Sequence, residues 1–158
     1  MNEKILNELL SIFEITAQLE VLYKQFFGDS LLNYTYAEMH CIDCIGKIEN
    51  PNVTKIAQEM KLTKAAISKN IKKLLSKNAI EIYKNPANKK EIYYKLTPIG
   101  QEVFSMHLKM HETWCNKDNE FFKQFKKEDL EILLNILSEY NKNLQGRLDN
   151  INRKDSLK

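Results

Sequence analysis

Apolar residues recur every three or four positions through most of this chain, and two short runs between them alternate instead. Ile5, Leu6, Leu9, Leu10, Phe13, Leu19, Leu22 and Phe26 fall at helical spacing and predict a helix over 3–27. Gly28-Asp29 ends it. Thr35, with Glu38 three residues later, is a capping-box pattern, so a second helix starts there. It runs to about Ile48, where Asn50-Pro51-Asn52 breaks it. A short third helix covers Val53 to Met60, Lys61-Leu62 make a tight turn, and Thr63 caps a fourth helix that reaches about Lys77. Ala79 to Tyr83 and Glu91 to Leu96 alternate as strands around a polar tip, Asn85 to Lys90. Thr97-Pro98 then places a cap before a proline at the first helical position, and a helix is predicted from Pro98 to about Phe125. A last helix, Lys127 to Arg147, carries Leu130, Leu133, Leu134, Ile136, Leu137, Tyr140 and Leu144 on one face. The polar residues after Asn150 read as a frayed tail. Only four Gly and three Pro interrupt the pattern, as long helices require. The order helix, helix, helix-turn-helix, hairpin, helix, helix predicts a mainly α fold: a winged helix-turn-helix core between long N- and C-terminal helices.

Charge sharpens this picture. From Lys61 to Lys95 there are ten lysines against Glu81 and Glu91, a segment of +8, while the whole chain is only +3. The other residues therefore sum to −5, and the basic charge sits on the helix-turn-helix and the hairpin. On the fourth helix Ala66, Ile67, Ile71, Leu74 and Leu75 form an apolar stripe. The opposite side shows Lys64, Ser68, Lys69, Lys72 and Lys73. A helix that locks onto its neighbour by one side and enters a major groove by the other needs this division. Thr63 at its start and the small Ala65 and Ser68 let the backbone approach DNA closely. Lysines facing phosphates would release counterions from double-stranded DNA. Asn88, Lys89 and Lys90 at the hairpin tip are placed to reach the backbone or an adjacent minor groove.

The segment VTKIAQEMKLTKAAISKNIKKLLSKNAIE, residues 53–81, followed by NPANKKEIYYKLTPIGQE, resembles the MarR family of transcription regulators. The layout is similar over essentially the whole chain. The resemblance implies one domain over 1–150. Within it, 35–97 is the DNA-binding core, 1–30 and 98–150 are helical arms that hold a homodimer, and 151–158 is a flexible tail. A dimer reads a pseudo-palindromic operator. Family members commonly carry an Asp-Arg pair in the wing; Asn88-Lys89-Lys90 stands there instead, without the planar fork of arginine.

His107 and His111 lie four apart on the fifth predicted helix, hence on one face and close enough to share an ion. Two histidines do not make a zinc site, which takes four donors in a tetrahedron. The remaining histidine, His40, lies in the first turns of the second helix. QLEVLY with Glu20, TYAEMH with His40, and HLKMH beginning ten residues after Thr97 resemble the zinc-sensing branch of the MarR family, the repressors of zinc-uptake genes. That resemblance implies a Zn2+ site of Glu20, His40, His107 and His111, with zinc as corepressor. The branch's second site uses a Cys after the first helix and a Glu before the helix 2 His; in this chain Met39 precedes His40 and no Cys lies between residues 20 and 40.

Three other readings remain. Tyr23, Phe26, Phe27, Tyr34 and Tyr36 are candidates to line a pocket for a small aromatic or lipophilic ligand. Cys41, Cys44 and Cys115 are candidates for a thiol switch, although Cys41 and Cys44 at helical spacing read first as small buried hydrophobes. A metalloenzyme is the fourth class, but the chain has no HExxH, nucleophile elbow or Gly-rich phosphate loop, so no enzymatic activity is expected. An odd cysteine count argues against a disulfide framework. No run approaches the ~18–20 apolar residues of a membrane span. MNEKILNELL carries acids and lacks the apolar stretch of a secretory signal. A cytoplasmic protein is the expectation.

Overall fold

A computed structural model describes residues 2–85 and 88–155. Its helices are α1 (Asn2–Phe27), α2 (Tyr36–Lys47), α3 (Val53–Glu59), α4 (Lys64–Ser76), α5 (Pro98–Phe122) and α6 (Lys127–Asp155). Strands β1 (Ile80–Asn85) and β2 (Asn88–Leu96) form one antiparallel hairpin. A five-residue 3-10 helix, Asp29–Asn33, lies between α1 and α2 and was not expected from the sequence. Pro86 and Ala87 of the predicted tip and residues 156–158 of the predicted tail lie outside the described residues. The last helix does not stop at Arg147 but continues to Asp155, through residues read as tail. Among the described residues no helix is long and apolar enough to cross a membrane.

The chain divides into two compact units, one ending at Glu112 and the other beginning at Thr113. In the first unit the core is built by α2, α3, α4 and the hairpin. Leu31, Met39, Cys41, Ile42, Ile56, Ile67, Leu74 and Ala79 are all fully buried there. The helix starts follow from their caps. The Thr35 side chain accepts from Glu38 N, and the Glu38 carboxylate accepts from Thr35 N, closing the capping box. Asn52 caps α3 and Thr63 caps α4 in the same way. α1 ends at Gly28, whose φ of 144° is a conformation only glycine adopts freely. Lys61, at φ 52°, makes the left-handed residue of the turn between α3 and α4. In the second unit Phe121, Phe122 and Phe125 cluster where α5 gives way to α6.

Where the hairpin passes into α5, the backbone is packed to its limit. Thr97 donates its N–H to Ala79 O at 3.1 Å, and its hydroxyl donates to Asn78 O and accepts from Gly100 N. A Cβ on Gly100 would lie 1.9 Å from Ala79 O, a backbone atom with no room to yield. Gly100→Ala therefore has to part the start of α5 from β1. The expected cost is about 3 kcal/mol, at the upper end for overpacking, read as a lowered urea midpoint. An unchanged midpoint would show that this junction yields more easily than its spacing implies.

Candidate metal centre and nucleic-acid interface

α4 buries Ile67, Ile71 and Leu74 against α2 and α3, with Ala66 and Leu75 half-buried at the margins. This leaves Thr63, Lys64, Ala65, Lys69, Lys72 and Lys73 exposed and Ser68 half-buried. The predicted reading surface is thus presented to solvent on one helix. Lys73 also leans toward the buried Glu38, at 3.9 Å. On the hairpin, Ile80 pairs with Leu96 and Tyr83 with Tyr93, so the strands run closer to the tip than the alternation indicated. Asn88 and Lys90 are exposed, and the Asn88 side chain accepts from Lys90 N. The side chain of Lys89 lies outside the described residues.

The first turns of α2 face two ways. Glu38 is 1% exposed, yet its carboxylate meets Lys77 at the end of α4, with Nζ at 2.9 Å. Burial by itself would raise this carboxyl. The bonds from Lys77 and from Thr35 outweigh it and hold the group below the usual range. Lys77 Nζ also donates to Asn33 O and lies 4.8 Å from the centre of the Tyr34 ring. Two residues further on, His40 turns toward α5.

There it meets His107 and His111. One donor atom from each of the three histidines lies within 4.8 Å of the other two. His107 Nε2 and His111 Nε2 are 3.0 Å apart. The His40 ring stands nearly perpendicular to both, with centroids 5.2 and 5.8 Å away. Tyr36 covers the outer side of His40 at 4.1 Å. His40 Nε2 and His107 Nδ1 are buried without a hydrogen-bond partner. Two nitrogens bound to one tetrahedral zinc stand about 3.3 Å apart, given Zn–N bonds of 2.0–2.1 Å. The cluster is already near that spacing, and the orphaned His40 Nε2 is a donor in want of a partner. The residues present fit a divalent metal.

Burial, then the neighbouring His111, pushes His107 down to about 4; burial also lowers His40. Both are therefore neutral near pH 7, the form a metal needs. The sign for folding follows. The unfolded chain takes up protons near 6.5 and the folded chain resists them, so metal-free stability falls as pH drops from about 6.5 toward 4. Between pH 7 and 5, His107 alone should remove about 2 kcal/mol from the urea-unfolding free energy of the metal-free protein. A His107→Gln variant should lose that part of the pH dependence, and an equal slope in both proteins would contradict the assignment.

Of the four predicted ligands, the structure brings the three histidines together and leaves Glu20 outside the group. Glu20 Oε1 is held by Lys24 Nζ at 2.7 Å, and the buried Lys24 reaches on to Tyr34 O. Glu20 is still near enough to favour the charged form of His40. Sequence reasoning missed Asp43, which acts on both His40 and His107. Its i+3 spacing from His40 was the signal available.

Among the rival readings, Cys41 and Cys44 are buried, and burial pushes their thiols up to about 12 and about 11. Such thiols are poor nucleophiles, which leaves only the exposed Cys115 open to oxidants. Of the aromatic residues proposed for a ligand pocket, Tyr23, Phe26 and Phe27 meet at the end of α1, and Tyr34 and Tyr36 stand in other surroundings. Tyr34 lines a cavity of about 440 Å³ with Asn33, Lys77, Ile99, Glu102 and Val103, whereas Tyr36 covers His40 and Phe26 is 80% exposed.

Comparison with known proteins agrees with this layout. The MarR family model matches residues 34–92, the helix-turn-helix and most of the wing. The chain is 34% identical over 101 residues to the uncharacterized HTH-type transcriptional regulator YvnA of Bacillus subtilis, and spans 64% of that protein's length. It is 32% identical over 137 residues to YhjH of the same organism, another uncharacterized HTH-type transcriptional regulator, covering 76% of this chain and 78% of YhjH. These relatives are named as regulators of transcription, in keeping with the expectation that the chain is not an enzyme. Three solved structures share the fold. Streptococcus pneumoniae FabT in complex with DNA has a TM-score of 0.72 at 21% identity, covering 92% of this chain and 98% of FabT. Zinc-responsive ZitR of Lactococcus lactis has 0.60 at 22%, covering 70% and 76%. Zinc-dependent AdcR in its Zn(II)-bound state has 0.57 at 20%, covering 70% and 75%. With the family's signature lying on α2 to β2 and a 32% identical relative matched over more than three quarters of its length, the chain belongs to the MarR family.

Proposed function

We propose that this protein is a zinc-responsive, DNA-binding transcriptional regulator. It acts as a homodimer on a pseudo-palindromic operator and represses zinc-uptake genes with zinc as corepressor. The observation that carries the metal reading is the convergence of His40, His107 and His111 from two helices onto one partly buried point. The fold likeness to ZitR and AdcR, named as zinc-responsive and zinc-dependent, supports it.

Bound zinc supplies a dication that ties nitrogen and oxygen donors into one tetrahedron. The three imidazoles are the donors ready for it, one nitrogen of each lying near a common point. Glu20, held by Lys24 one turn along α1, would be the fourth donor on leaving that lysine for the ion. His40 and Glu38 sit two residues apart on α2, and Glu38 grips α4 through Lys77. His107 and His111 lie on α5, which leaves the wing at Pro98. Fixing α2 to α5 therefore sets the posture of both DNA-facing elements. Zinc favours DNA only through its greater affinity for the DNA-competent posture. Exposed apolar residues supply the dimer surface: Ile5, Leu6, Leu10 and Phe13 on α1, each more than half exposed, and Ile132, Leu134 and Ile136 on α6.

The test is titration of the metal-stripped protein with zinc against a chromophoric chelator, wild type beside His107→Ala. One tight zinc per chain, lost in the variant, is expected. Added zinc should then tighten binding to a selected operator by at least about tenfold in wild type alone, a coupling of ~1.4 kcal/mol. No tight zinc in wild type, or binding indifferent to the substitution, would sink the metal reading and leave a MarR-family regulator of another ligand.

A further inference from the structure

Asp43 stands one helical turn after His40 on the same side of α2. Its two oxygens have different surroundings. Oδ2 accepts from Lys47 Nζ at 2.7 Å, on a lysine side chain that is 56% exposed. Oδ1 is buried and accepts from nothing. A buried carboxylate oxygen without a donor is costly and calls for an explanation. Among the described residues the buried side-chain atoms in this condition are Asp43 Oδ1, His40 Nε2 and His107 Nδ1. They belong to one locus. The Asp43 charge acts on both histidines, and Asp43 and His40 line the same cavity of about 550 Å³ beside α3.

The chemistry of the pair is complementary. His107 directs Nε2 at the point shared with His111. If Nε2 binds an ion, the proton of the neutral ring must sit on Nδ1, which becomes a buried donor. Asp43 Oδ1 is a buried acceptor. Charge points the same way, because three neutral imidazoles leave a dication uncompensated. Glu20 provides one negative charge and Asp43 the second, in a setting where unpaired charge is expensive.

We propose that Asp43 is the outer carboxylate of the metal centre, a positioning residue that accepts from His107 Nδ1–H and holds His107 Nε2 toward the ion. This rests on the metal reading above. Its oxygens are not within the 4.8 Å group formed by the three histidines, so it acts through His107 and not as a direct ligand.

The experiment compares wild type, Asp43→Asn, Asp43→Glu and Glu20→Gln, each metal-stripped and titrated with zinc by chelator competition and with cobalt(II) by visible absorption. Asp43→Asn should weaken zinc roughly 10- to 100-fold, the range for loss of an outer carboxylate. It should leave the cobalt d–d bands in shape and intensity as in wild type, and Asp43→Glu should recover part of the affinity. Glu20→Gln should change the bands, since it removes a donor atom. If wild type binds tightly and Asp43→Asn stays within about threefold of it, the inference fails while the metal reading stands. Altered d–d bands in Asp43→Asn would make Asp43 a direct ligand and overturn its role as a positioning residue. A wild type that binds no metal overturns both. One measurement needs no variant: a long-range proton–nitrogen NMR correlation on the zinc-loaded wild type. It should show His107 protonated at Nδ1, and the opposite tautomer would overturn the proposal.

Discussion

Replacing Lys64, Lys69 and Lys72 together by alanine should weaken binding to DNA about 100- to 1,000-fold and leave the fold intact. All three side chains project from α4 into solvent, and none closes an ion pair with the core. On the proposed reading each would neutralise a phosphate with α4 in a major groove, and the proposed dimer would present each twice. Six lost contacts should also flatten the dependence on salt, lowering the slope of log affinity against log salt by about 5. Lys73 is left in place because it leans on Glu38 and its loss would mix stability with binding. Fluorescence anisotropy on a duplex selected from random sequence by the wild type provides both numbers. An affinity within a few-fold of wild type, with the same salt slope, would move the DNA surface away from α4. Unchanged circular dichroism is the control that the loss is not unfolding.

Glu38→Ala should cost about 3 kcal/mol of folding stability, near the low end for breaking a buried pair by removing one partner. Glu38 is fully buried, but the Lys77 side chain is 31% exposed and keeps Asn33 O as a second acceptor, so the stranded cation is partly relieved. The substitution also opens the capping box at Thr35. Glu38→Gln should cost less, about 1–2 kcal/mol, because an amide oxygen can still accept from Thr35 N and Lys77. The pH dependence separates charge from packing. The folded Glu38 carboxyl titrates below its ordinary value, so its stabilisation is complete above about 4.5 and is lost as pH falls below that. Urea unfolding at pH 7 and pH 4 should show the difference between wild type and Glu38→Gln shrinking at the lower pH. A constant difference would mean that shape, not charge, is what Glu38 contributes. Since Glu38 joins α2 to α4, the variant also tests whether zinc still alters DNA affinity when that link is gone.

Much of this protein was determined by local sequence. Helix starts depend on caps that act over three residues, so Thr35 and Thr63 mark the starts of α2 and α4 within a residue or so. The apolar stripe of α4 and the alternation of the hairpin likewise state which sides are buried, because periodicity is a local property of the backbone. The lysine concentration between Lys61 and Lys95 was legible for the same reason: charge can be counted without coordinates. What the sequence misjudged was also local. Residues 151–155 are mostly polar and read as tail, but they continue α6, since a polar helix is not excluded by lacking an apolar face.

Tertiary structure decided the rest. Glu38 looked like a capping residue and is also a fully buried ion whose partner lies thirty-nine residues away. Glu20 and His40 were both implied as ligands by the resemblance, but only the folded chain shows Glu20 already held by Lys24. Asp43 went unnoticed in the sequence, and its buried oxygen appears only once α2 has packed against its neighbours. Each of these is a matter of desolvation and of distance between segments far apart in the chain. Neither quantity exists until the chain has closed on itself, so the candidate residues were readable from the sequence and their environment was not.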